Sequence, residues 1–370
     1  MIRILSVIGT RPEAVKMAPV VAALVGIPSV QAHVLVTAQH RQLLDQVLRL
    51  FDIKPEYDLD VMSPNQTPSD VFVQVLERMR PVLLEMRPDW MLVQGDTTTV
   101  LAATLAAAYA QVSVGHVEAG LRTYDRTNPF PEELNRVLTD HAASLHFAPT
   151  ENARKALICE GISENTVHVT GNTVIDALQV ITAQSLPRSS ADILDVLPEK
   201  KRLILVTAHR RENFGAPLQS IIAALLELAR HNEAHIVYPV HPNPSVNVPV
   251  RKALGDCANI SLLPPLDYLT FAHLMKRAHL ILTDSGGIQE EAPGLGVPVL
   301  VMRAVTERPE AITAGTATLV GTDTEKIVGA TTRLLKDEDA HKEMSQAVNP
   351  FGDGHAARKI VEILLRQDQD

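Results

Sequence analysis

The charged and hydroxyl-bearing residues of this chain gather just after its apolar runs. IRILSVI leads into GTRPEAVK, which sets Arg11 and Lys16 beyond a single glycine, Gly9. WMLVQ leads into GDTTTV with Asp96, and VSVGHV leads into EAGLRT with Glu118 and Arg122. NPFPEELNR then places Glu132 and Glu133 in the first turn of a helix behind a proline-held loop. Carboxylates gathered in a cleft raise some of one another's pKa values and make proton carriers. Each also has a structural explanation of its own. Asp96 can cap the following helix, Glu118 can be partnered by Arg122, and acidic residues suit any first helical turn.

The second half supplies different chemistry. VTAHRREN brings His209, Arg210 and Arg211 to a strand end, and HIVYPVHPNP brings His241. In LILTDSGGIQEEAPGLGVPVL a strand stops at Asp-Ser-Gly-Gly and a helix begins at once. Gly286 and Gly287 allow close backbone approach, and a helix start offers N–H groups to a phosphate. Glu290 and Glu291 lie one turn on, where a carboxylate can accept from ribose hydroxyls, and TERPEA adds Arg308. This half reads as a holder for a nucleoside diphosphate, whereas the first supplies acids. No strand is followed by GxGxxG, so the dinucleotide reading fails. The histidines lack metal-ligand spacing, and no metal is expected.

Strand-like and helix-like segments must position these groups. IRILSVI, HVLVTA, WMLVQGD, VSVGHVE and SLHFAP read as strands, with amphipathic helical spacing between them. The pattern restarts with RLILVTA, HIVYPVH, NISLLPPL, LILTDSG and PVLVM. Such alternation predicts an α/β fold of two doubly wound, Rossmann-like domains with parallel sheets. Ligands sit beyond the carboxyl ends of such strands, so a cleft faced by both domains is the expected site. The junction falls near GNTVIDALQVI, giving domains at 1–170 and 171–353. The length of 370 residues suits two cores, and the net charge of −9 argues against nucleic acid or anionic membrane as a partner. No apolar run is long enough to span a membrane, no signal peptide is read, and Cys159 and Cys257 stand far apart. A reduced cytoplasmic protein is expected.

GTRPEAVKMAP, TAQHRQLLDQ, QGDTTTV, GHVEAGLRT, PFPEELNR, GNTVIDAL, HRREN, TDSGGIQEEAP and ERPEA, with GDGHAARKI near the end, run through essentially the whole chain. Together they resemble the non-hydrolysing bacterial UDP-N-acetylglucosamine 2-epimerases. The resemblance implies the GT-B fold, with the last helix, 354–370, packed back on the first domain. It implies a cytoplasmic homodimer that interconverts UDP-GlcNAc and UDP-ManNAc for cell-surface polysaccharide synthesis, with no cofactor. It assigns Asp96, Glu118 and Glu132 to acid–base chemistry, and His209 and Arg11 to the diphosphate. Lys16, Ser285, Gly286, Gly287, Glu291 and Arg308 match further UDP-binding positions, and Phe271 matches a residue beside the uracil. Gln39, Gln42, Arg211 and His241 look like a second, activating UDP-GlcNAc site. VMSPNQTPSD departs from members with a basic residue there. A glycosyltransferase, a hydrolysing epimerase, a non-catalytic UDP-sugar sensor and an epimerase for a modified sugar are the alternatives; the sensor would have no use for Asp96, Glu118 and Glu132 together.

Overall fold

The computed structural model describes the chain apart from residues 38–40, 64 and 368–370 and the side chains of 41–43. It divides into two compact units, Met1–Ala177 with Phe351–Asp370, and Leu178–Pro350.

In the first unit the strands are β1 (Ile2–Ile8), β2 (Val30–Val36), β3 (Tyr57–Asp58), β4 (Trp90–Gln94), β5 (Ser113–Val117), β6 (Leu145–Ala148) and β7 (Val167–Val169). They form one sheet in the order β3-β2-β1-β4-β5-β6-β7, with every pairing parallel. Parallel strands covered on both faces need apolar residues at successive positions. In β1, Ile4 to Ile8 are accordingly all buried. Helix Pro68–Met86 packs Val75, Met79 and Leu83 into the same core as Leu5, Val7, Met91 and Val93. That helix starts on a capping box between Thr67 and Asp70.

The second unit holds β8 (Arg202–Thr207), β9 (Ala234–Pro239), β10 (Ile260–Leu263), β11 (Leu280–Thr283), β12 (Val299–Val301) and β13 (Ala317–Leu319). Their order is β10-β9-β8-β11-β12-β13, again all parallel. Helix Ala216–His231 buries Ile221, Leu225 and Leu228 against Ile204, Val206 and Tyr238. Both units are therefore doubly wound α/β, as the alternation of segments predicts. The short strands β3, β7 and β13, of two or three residues, carry too little apolar pattern to be read from sequence.

The chain order turns back between β1 and β4 in one sheet and between β8 and β11 in the other. Loops leaving the two strands at such a point diverge to opposite faces and open a crevice. Gly9 follows β1 and takes no special backbone angle. It is a glycine because a Cβ there would lie 2.8 Å from Thr99 Oγ1 in the helix after β4. The last helix, Ala356–Gln367, packs on helix Arg11–Val25 of the first unit. Its first N–H groups, of Ala356 and Ala357, donate to Asp176 at 3.2 and 2.9 Å. Among the described residues, no helix is long and apolar enough to cross a membrane.

Candidate active site

Glu118 follows β5 in the left-handed backbone region, at φ +65°, and is nearly inaccessible. A residue with a Cβ pays for that conformation, which persists where surrounding structure enforces it. Here the carboxylate is gripped on several sides. Lys16 Nζ lies 2.5 and 2.7 Å from its oxygens, Asn172 Nδ2 donates at 2.8 Å, and the Gln94 side-chain amide donates as well. The donors come from helix Arg11–Val25, from the end of β4 and from the segment after β7. The cation beside Glu118 is thus Lys16. Arg122, the partner considered from sequence, turns away, with its guanidinium buried against Asp140 and Glu160, each at 2.7 Å.

Asp96 sits after β4 and pairs with Arg136 of helix Glu132–Ala142. It does not cap the next helix: Thr97 does, with its hydroxyl accepting from Val100 N at 3.3 Å. Asn135 Nδ2 also donates to the Asp96 carbonyl, at 2.9 Å. The adjacent glutamates diverge. Glu133 is buried and accepts from the N–H groups of Thr123 and Tyr124 at 3.0 and 2.9 Å and from Arg136 at 3.0 Å. Glu132 is half-buried and has no partner among the described residues. Two X-Pro bonds just before it, Asn128–Pro129 and Phe130–Pro131, are cis.

Three buried groups here were not singled out from sequence. His116 Nδ1 lies 2.6 Å from Asp140, and its Nε2 lies 2.7 Å from the Gly95 carbonyl. Both ring nitrogens therefore face acceptors, and the ring holds the turn that carries Asp96. Asp140 stays below the usual carboxylate range: its burial works against this, but the charges and hydrogen bonds of His116 and Arg122 prevail. Glu13, fully buried, accepts from Gly9 N at 2.6 Å and from Thr10 Oγ1 at 2.9 Å. Burial pushes its pKa from 4.5 up to about 7, against the bonds from Gly9, Thr10 and Thr97, and nearby Asp96 adds to the rise. Their signals were weak because His116 lies inside an apolar strand and Glu13 inside a helical stretch. Arg11, at the start of the same helix, is half-buried with no partner among the described residues.

In the second unit His209 and Arg210 follow β8, and Asp284 and Ser285 follow β11, so both loops lie at the reversal of strand order. Ser285 precedes the short helix Gly286–Glu291, and Ser285 N donates to Thr283 Oγ1 at 2.9 Å. A Cβ at Gly286 would lie 3.6 Å from the Arg210 guanidinium, so Gly286 and a cation share one corner. Arg308 pairs with buried Glu290, and Glu291 accepts from Tyr268 Oη at 3.0 Å. Phe271 is half-buried on helix Tyr268–Arg277. Arg211 and His241 are exposed, and the His241 ring stacks on His209 with centroids 5.4 Å apart. Gln39 and the side chain of Gln42 lie outside the described residues. No cluster of three His, Cys, Asp or Glu side chains among the described residues is arranged to hold a metal ion.

Buried carboxylates at parallel strand ends in one doubly wound unit, and a Ser-Gly-Gly helix start flanked by arginine in the other, define a two-unit α/β protein of the GT-B class. Residues 22–365 match the family model for UDP-N-acetylglucosamine 2-epimerase. The chain is 55% identical to UDP-N-acetylglucosamine 2-epimerase of Yersinia pestis and 54% identical to that of Escherichia coli K12, covering 98% of each chain in both cases. Among solved structures it resembles the UDP-GlcNAc 2-epimerase of Neisseria meningitidis bound to UDP-GlcNAc. That match has 46% identity and a TM-score of 0.89, covering 99% of this chain and 100% of that one. A Methanocaldococcus jannaschii UDP-GlcNAc 2-epimerase in complex with UDP-GlcNAc and UDP matches at 35% identity and TM-score 0.79, covering 99% of this chain and 100% of that one. This chain belongs to the UDP-N-acetylglucosamine 2-epimerase family and is an isomerase. A Rickettsia africae glycosyltransferase, at 15% identity and TM-score 0.65, shares the fold.

Proposed function

We propose that this chain interconverts UDP-GlcNAc and UDP-ManNAc without releasing free sugar, by eliminating and re-adding UDP. The hydrogen on C2 has no neighbouring carbonyl, so its direct removal is unfavourable. As the C1–O bond breaks, positive character at C1 makes that hydrogen acidic. UDP leaves with the bonding pair, a carboxylate takes the C2 proton, and 2-acetamidoglucal forms. UDP then adds back to C1 while a proton arrives on the other face of C2. Two proton carriers are needed, one for each face.

The observation that carries this reading is the Glu118 cluster. A carboxylate held in a left-handed turn by Lys16, Gln94 and Asn172 is positioned rather than merely buried. Asp96 and Glu132 complete the acid–base set, and Glu132 is the member with an uncommitted carboxylate among the described residues. Arg11 and His209 stabilise the departing diphosphate, where fixed donors act on developing charge. Lys16, Ser285, Gly286, Gly287, Glu291, Arg308 and Phe271 hold UDP. Gln39, Gln42, Arg211 and His241 form an activating second site for UDP-GlcNAc. The protein is a cytoplasmic homodimer that feeds cell-surface polysaccharide synthesis.

The test is a proton NMR time course with UDP-GlcNAc in D₂O. A UDP-ManNAc anomeric signal with deuterium entering C2 of both sugars supports the proposal. Free ManNAc points to hydrolysis, and an unchanged spectrum with UDP still bound points to a glycosyltransferase or to a modified sugar as substrate.

A further inference from the structure

Asp284 was not singled out from sequence, although it lies inside the TDSGG segment. It is fully buried, at 0% exposure, directly after β11. One oxygen, Oδ2, accepts from His209 N and Arg210 N, each at 2.8 Å, and from Asn213 Nδ2 at 3.0 Å. The other, Oδ1, is buried without a hydrogen-bond partner and faces His209 Nδ1 at 3.4 Å. A buried carboxylate oxygen left unsatisfied is costly and calls for an explanation. Around it the frame is stiff. Asp284 N donates to the Thr207 carbonyl at 3.1 Å, Thr207 and Thr283 hydroxyls meet at 2.6 Å, and buried Tyr238 Oη donates to the Ala208 carbonyl at 2.9 Å. The second face of the His209 ring lies against His241, at an interplanar angle of 14°. His241 Nδ1 accepts from Asn243 N at 3.1 Å, so that nitrogen carries no proton.

We infer that Asp284 is a positioning residue for His209: it holds the imidazole with its proton on Nδ1, turned toward Oδ1, and leaves Nε2 to face the ligand. The loop to which Asp284 anchors His209 fixes where the ring starts, and the free oxygen selects the tautomer. A neutral imidazole can donate from only one nitrogen, so a carboxylate at Nδ1 settles which one. When the ring gains a proton on Nε2, the same carboxylate stabilises the cation opposite a leaving diphosphate. The groups facing the ring are Asp284 after β11, His241 after β9, and Arg210 of its own loop, whose guanidinium lies 3.9 Å from Glu307. Burial lowers the proton affinity of His209, Asp284 raises it, and His241 and Arg210 lower it.

This inference rests on the reading of His209 as a diphosphate-facing group, and the experiment separates the two. The Asp284→Asn substitution keeps an oxygen for the three loop donors and puts an amide N–H where Oδ1 was, forcing Nδ1 to accept. Nitrogen-15 NMR of histidine-labelled full-length protein should show His209 protonated on Nδ1 in the wild type and on Nε2 in Asp284→Asn. In the variant kcat should fall on the order of 10²-fold with KM for UDP-GlcNAc little changed, and the basic limb of its pH profile, where the protonated ring is lost, should move to lower pH. Asn213→Ala, which loosens the loop without touching Oδ1, should keep the wild-type tautomer. A wild-type ring protonated on Nε2 overturns the inference, and that spectrum decides even if Asp284→Asn does not fold. An unchanged tautomer or kcat in folded Asp284→Asn overturns it too. Full activity in His209→Gln would instead overturn the role given to His209 itself.

Discussion

At the scale of single residues, neighbours of identical type are separated by what they touch. Glu133 has its oxygens committed to two backbone N–H groups and to Arg136, while Glu132 is uncommitted among the described residues. Glu133→Gln sets an amide against those donors and should destabilise the protein by about 1–3 kcal/mol. Glu132→Gln should leave the melting temperature unchanged but slow deuterium exchange at C2 of the substrate by on the order of 10²-fold. Thermal melts and the exchange assay, run on both variants, check the contrast. Wild-type exchange in Glu132→Gln would remove Glu132 from the acid–base set.

At the scale of elements, caps and close approaches place the loops. The last helix depends on Asp176, which belongs to helix Thr173–Ala183 and accepts from the first N–H groups of Ala356–Gln367. Asp176→Ala removes that cap at a cost of about 1 kcal/mol. Amide exchange should then rise in 356–367 ahead of the sheet, and uniform protection would show that packing on helix Arg11–Val25 suffices alone. The approach of helix Thr98–Tyr109 to Gly9 similarly fixes where the turns carrying Arg11 and Asp96 emerge.

At the scale of the whole molecule, stability and activation are the properties to read. Glu13 titrates near 4.5 when unfolded and about 7 when folded, because burial disfavours its charge. The folded protein therefore binds that proton more tightly. The contribution is fully present below about pH 4.5 and is lost as pH rises through about 7, on the order of 3 kcal/mol. Urea midpoints should fall between about pH 5 and 8 in the wild type, and the fall should flatten in Glu13→Gln. A pH-independent difference between the two would show that Glu13 is not the group responsible. The proposed second UDP-GlcNAc site makes rate rise sigmoidally with substrate. Arg211→Ala should render the curve hyperbolic or shift it to higher concentration, and a hyperbolic wild-type curve would remove the site.

The sequence by itself determined the two parallel-sheet units and most of their long strands, since buried parallel strands must be apolar throughout and the helices between them must be amphipathic. It also placed the candidate residues at strand ends, where the chemistry of open α/β sheets occurs. Only the tertiary structure decided the pairings, because partners such as Lys16 and Glu118, or Asp96 and Arg136, lie far apart along the chain and any nearer opposite charge is an equal candidate on paper. Arg122 shows this: four residues from Glu118 in sequence, it is drawn instead to Asp140 and Glu160. Glu13, His116 and Asp284 were hidden for the same reason. A polar residue inside a helix or strand pattern, as Glu13 and His116 are, or at a strand end, as Asp284 is, reads as ordinary, and what distinguishes these three is burial against groups that other elements bring to them.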